Sequence, residues 1–151
     1  KNRACQLVIG SSVITKELKA TTEKLNSDCE GLRIPLNQLE GYLNLCGKEL
    51  DIAVKDFGLK KLRDVIGNGN VEGIIAAMPT MLAHVKRNES LLTAKGMKAE
   101  LPTNLADRAK EIKRLNAKQN ELTSQRGRMS EENLVQFNDL WESLQPILKT
   151  A

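Results

Sequence analysis

Aromatic side chains are scarce in this chain: Tyr42, Phe57, Phe137 and Trp141 make up 3% of its residues. A core built without them must be aliphatic, from Leu, Ile, Val, Met and Ala. Histidine is scarcer still, with His84 alone. One imidazole excludes histidine-based metal sites, including the Glu-x-x-His pairs that a di-metal helical bundle needs; the residue three before His84 is Met81. The cysteines, Cys5, Cys29 and Cys46, are too few and too scattered for a disulfide framework or a zinc site. Their odd number fits a reducing compartment, so the expected location is cytoplasmic. No apolar run approaches the roughly 18 residues of a membrane span. The longest, residues 74–85, is interrupted by Pro79, Thr80 and His84. An initiator Met is also missing, so Lys1 reads as the edge of a trimmed or processed product. The opening residues loosely mimic a secretory signal, but Gln6, Ser11 and Ser12 dilute the apolar part and its spacing continues in phase, as mature structure does.

What remains is a chain of 151 residues, 40% apolar and 28% charged. That is one domain's length, with enough buriable surface for a core without staples. Its apolar residues recur at helical spacing. Leu7, Ile14, Leu18, Leu25 and Cys29, with Ser11 and Thr21 between them, follow steps of three and four. Gly31 supplies a stop and Ile34-Pro35 a restart. A second stripe, Leu36, Leu39, Leu43, Cys46, Leu50, Ala53 and Phe57, keeps strict alternation until the phase slips at Gly58. Gly67-Asn68-Gly69-Asn70 reads as a turn, because Gly and Asn tolerate positive φ. A third stripe, Val71, Ile75, Met78, Leu82, Val85, Glu89 and Leu92, crosses Pro79 in register. That predicts one kinked helix, closed by Gly96, with a loop up to Leu101.

The last third carries Leu105, Ile112, Leu115, Leu122 and Met129, but residues 116–128 are polar nearly all round. Gly127, followed by Ser130 as a helix N-cap, predicts a bend or break there. No residue run alternates like a strand. The expectation is an all-α antiparallel bundle of four to five helices in a single domain, 1–151, with a semi-independent last helix over 129–149.

Chemistry finds little to work with. Gly67-Asn68-Gly69-Asn70-Val71-Glu72 has the flavour of a calcium loop but carries one acid. Gly10-Ser11-Ser12 lacks the Gly-Lys-Ser/Thr ending and the preceding strand of a phosphate loop. A thiol enzyme needs Cys and His within reach, yet Cys29 and Cys46 lie in apolar seams and only Cys5 lies off them. No catalytic residue, metal ligand or cofactor is expected.

Charge is more informative. The formal balance of +4 is unevenly spread. Residues 102–128 hold seven bases and three acids, whereas residues 129–151 hold Lys149 against Glu131, Glu132, Asp139 and Glu142. A basic stretch followed by an acidic one suits head-to-tail docking on another copy, internal docking, or plain solvation. Lys110, Lys113, Arg114 and Lys118 form a ribbon that would neutralise phosphates, although no aromatic interleaves to stack bases. Leu134, Phe137, Trp141 and Leu144 recur at helical spacing near the C-terminus. They are either the plug of the bundle or a handle for a partner. The leading expectation is a non-enzymatic structural or interaction protein that binds itself or a partner helix through these four residues. The alternative is a basic adaptor binding nucleic acid or another polyanion through the ribbon.

Overall fold

The second apolar stripe does fold as a helix, but only over its first half. In the computed structural model, which describes the backbone of residues 3–150 and the side chains of residues 12–146, Leu36, Leu39, Leu43 and Cys46 are buried along one flank of a helix that ends at Cys46. Gly47 then takes φ 55°, which L side chains rarely adopt, and its N–H caps the Leu43 carbonyl. Leu50 and Ala53 continue the arithmetic but lie in the irregular link between two short 3-10 turns, Phe57 ends the second of these, and of the three only Phe57 is buried. Spacing alone did not register that a single glycine changes the backbone.

In chain order the described residues form α1 (Arg3–Glu30), α2 (Arg33–Cys46), the 3-10 turns Gly47–Glu49 and Val54–Phe57, α3 (Leu59–Gly67), α4 (Val71–Arg87), α5 (Glu89–Ala94) and α6 (Glu100–Thr150). There is no strand among them, so the fold is all-α, a helical bundle joined by short turns. Two compact units divide the chain, one of residues 23–116 and one of residues 1–22 with 117–151. No helix among the described residues is long and apolar enough to cross a membrane.

The 23–116 unit holds a continuous aliphatic core. Leu25 and Cys29 of α1 meet Leu36, Leu39 and Leu43 of α2, Leu62 and Ile66 of α3, and Leu105 and Ile112 of α6. Phe57 is its buried aromatic. The turn expected at 67–70 separates α3 from α4: Gly69 has φ 63°, and the Asn70 side chain accepts a hydrogen bond from the Gly73 N–H at 2.9 Å, an N-cap.

On α4 the structure corrects the third stripe by one notch. Ile74, Met78, Met81 and Val85 are buried, whereas Ile75 and Leu82 are half-buried. Both rows obey the helical spacing and share Met78 and Val85, so a wide apolar stripe contains two candidate seams. α4 runs unbroken through Pro79, whose ring stands on the exposed flank. Proline has no N–H, so the Ile75 carbonyl lacks its usual intrahelical donor.

The expected run to Gly96 is split at Asn88. This residue is buried and ties three segments together: Oδ1 accepts from the Asp51 N–H (3.1 Å), and Nδ2 donates to Asp51 Oδ1 (2.5 Å) and to the His84 carbonyl (2.9 Å). The position expected to carry Glu89 on the seam therefore belongs to a hydrogen-bonded amide. Gly96, with φ 95°, closes α5 as expected.

Two boundaries of the last third also differ. α6 begins at Glu100, which places Pro102 in its first turn rather than after a loop. It continues through Gly127 to Thr150 without the expected break. A Cβ at Gly127 would meet nothing within 4 Å, so the helix there is an exposed rod that needs no packing partner to accommodate glycine.

In the second unit, α1 and α6 are pinned by Lys118 Nζ to Glu17 Oε1 at 2.7 Å and by Gln119 Nε2 donating to Thr22 Oγ1 at 2.9 Å. Thr21 and Leu122 are its buried side chains among those described. Cys5, Leu7, Ser11, Ile147, Leu148 and Lys149 lie outside the described side chains.

Candidate interaction surfaces

The basic ribbon does not stand free. Lys110 Nζ lies 3.5 Å from Asp107, and Lys118 is bound to Glu17. Arg114 grips Glu111 with two hydrogen bonds of 2.8 Å, the bidentate geometry that planar guanidinium favours. Lys24 approaches the same carboxylate at 3.3 Å. The Arg114 hydrogen bond, with that of Lys24 in support, overcomes the opposing desolvation and brings the Glu111 carboxyl down to about 2. Of the four ribbon residues, Lys113 alone has no carboxylate partner among the described residues. Asp107 and Glu111 stand three residues before their partners on the same helix, where sequence spacing can find them, whereas the crossing of Glu17 from α1 to Lys118 leaves no local trace.

His84 is half-buried on α4. Its ring sits 5.8 Å from the Phe57 ring, tilted by 60°, and Nδ1 lies 3.3 Å from Arg87 Nη2. Cys29 and Cys46 are buried. Burial, reinforced by Asp28 and Glu30, pushes the Cys29 thiol up to about 11. Burial also raises Cys46. Both thiols are thus held protonated, the unreactive form. Among the described residues, no group of His, Cys, Asp and Glu is arranged to hold a metal ion.

The C-terminal stripe is laid out on the open surface of α6. Leu134, Phe137, Trp141 and Leu144 expose 61%, 64%, 50% and 39% of their areas, with Val135 and Leu140 exposed beside them. None of the side chains of residues 131–146 is buried. Of the two roles open to the four residues, the structure places them as a surface patch rather than a plug.

A cleft opens in the 23–116 unit, between α2 and the start of α6. It has a volume of about 590 Å³, within the range of binding clefts. Ile34, Pro35, Tyr42 and Leu101 line its apolar part, and Lys98, Glu100 and Arg108 its charged part. Gly31 forms part of the wall. A Cβ there would lie 2.6 Å from Arg108 Nη1, so the missing side chain is what lets the guanidinium lie over the α1–α2 junction. Arg108 Nε donates to Asn104 Oδ1 at 2.8 Å. Neither Arg108 nor Lys98 has a carboxylate partner among the described residues. The only hint in the sequence was Gly31, which reads equally well as a helix stop.

No protein family, curated protein or solved structure matches this chain.

Proposed function

We propose that this chain is a helical interaction protein, without catalytic chemistry of its own, that associates with another copy of itself through the later turns of α6. One observation carries the reading. Leu134, Phe137, Trp141 and Leu144, at 3-4-3 spacing, expose between 39% and 64% of their areas together on one helix. Large apolar side chains grouped in this way mark an interaction surface, and i, i+3, i+7 anchors on one helix face are the usual grip of helix-mediated binding. The polyanion alternative draws less support, because carboxylates already engage Lys110, Arg114 and Lys118.

Trp141 is the single tryptophan, so tryptophan emission, excited at the red edge where Tyr42 does not absorb, reads this face. As concentration rises, the reading expects the emission to shift to the blue while light scattering records a higher mass. Phe137→Ser should abolish both changes with helicity kept. A wild-type chain that stays monomeric at high concentration, with its emission fixed at that of a wet indole, would reject it.

A further inference from the structure

Two surfaces of this chain are each incomplete, and in complementary ways. The α6 stripe offers protruding apolar side chains with no cover. The α2–α6 cleft offers a concavity with apolar walls, and its rim residue Ile34 is itself 69% exposed. Their charges also match. Glu131 and Glu142 run along one margin of the stripe, on a row completed by Val135 and Asn138. Neither acid has a cationic partner among the described residues. Lys98 and Arg108 line the cleft with no carboxylate partner, set against the single acid Glu100.

Resting on the self-association just proposed, we propose its geometry: the α6 stripe of one copy seats in the α2–α6 cleft of a second copy, head to tail. Leu134, Phe137 and Trp141 enter as a helix-in-groove triplet, while Glu131 and Glu142 face Arg108 and Lys98. The competing arrangement packs stripe against stripe. In an antiparallel pair each margin faces its own counterpart, so the acidic row of one copy would meet the acidic row of the other, a repulsion. In a parallel pair that row faces uncharged Asn133, Gln136 and Leu140, and its charges stay unanswered. Of these arrangements, the one that answers them is the cleft. Because donor and acceptor surfaces differ, the contact is heterologous, and repeated it builds a ring or an open chain rather than stopping at a dimer.

Complementation tests this. Trp141→Glu disables the stripe and leaves the cleft; Ile34→Glu with Arg108→Glu disables the cleft and leaves the stripe. All three substituted side chains are at least partly exposed, and circular dichroism checks that helicity is retained. Each variant alone should be monomeric. Their 1:1 mixture should form a heterodimer of twice the mass and stop there, since the two surfaces left over are both disabled. The Trp141→Glu chain contains no tryptophan, so titrating it into the cleft variant should shift the latter's emission to the blue, reporting the docked stripe directly. A cleft variant that self-associates like wild type, or a mixture that stays monomeric with unchanged emission, overturns the head-to-tail contact while leaving self-association intact. Wild type that never associates overturns the self-association itself.

Discussion

Met81 and Leu82 are neighbours of similar size and hydrophobicity, separated by about 100° of helix rotation. That rotation decides their energetic roles. Met81 is buried in the 23–116 core and Leu82 lies half-exposed on the flank of α4. Met81→Ala removes packed atoms and leaves a cavity, costing about 2–5 kcal/mol, whereas Leu82→Ala should fall clearly below that range because its site opens to water. Urea unfolding of the two variants checks this, and Leu43→Ala, at a fully buried position, should match Met81→Ala. Equal losses at 81 and 82 would mean that α4 is rotated. Glu111 supplies a second test at this scale. Its carboxyl is depressed to about 2 from an ordinary 4.5, first by Arg114 and then by Lys24. A group depressed on folding lends stability that is fully present above its unfolded value and disappears as the pH falls through the folded one. The wild type should therefore lose stability between about pH 4.5 and about pH 2. Glu111→Gln should lack that component, so the gap between the two proteins' urea midpoints narrows across the window. A gap independent of pH would show that the ion pair does not form in solution.

Gly127 decides the nature of an element. It lies inside α6, has space around it, and does not take positive φ. Glycine in an exposed helix interior is less favourable than alanine by about 0.5–1 kcal/mol. Gly127→Ala should therefore raise the helical signal and the melting temperature slightly. If the chain turned there through a left-handed residue, the same change would destabilise it instead. The contrast with Gly47 is instructive, because the two look alike as letters. Gly47 takes φ 55° and ends α2, while Gly127 is helical. Apolar periodicity made the helices legible: Leu36, Leu39, Leu43 and Cys46 are buried as their spacing implied, and so are Leu25 and Cys29. It failed where backbone conformation or tertiary contact was decisive. Nothing local separates the Ile74–Met81 row from the Ile75–Leu82 row, since the choice depends on which flank the neighbouring helices meet. Nothing local foretells that Asn88 will be buried by its bonds to Asp51, 37 residues away. The stripe on α6 was readable as a patch. Whether it closed the core or faced water depended on which helix faces meet in three dimensions, which spacing does not encode.

At the scale of the molecule, stability and association are expected to reside in different parts of the chain. The aliphatic core lies within residues 23–116, and no described side chain beyond Glu132 is buried. A stop codon replacing Asn133 would delete the whole α6 stripe while leaving every core side chain in place, as well as the Lys118–Glu17 and Gln119–Thr22 contacts. Surface residues outside the packed core contribute within about 0.5 kcal/mol each way, and the slope of denaturant unfolding follows the area exposed on unfolding. The shortened chain should therefore keep a urea midpoint and slope close to those of the full chain measured at dilution, followed by circular dichroism because Trp141 is gone. Its association, by contrast, should vanish at every concentration. Measured where the full chain is assembled, the difference in stability should grow with protein concentration, since binding that favours the folded state adds stability by mass action. A shortened chain that unfolds at markedly lower urea even at dilution would mean that the stripe packs inside its own molecule, and the partition between a folding half and a binding half would fail.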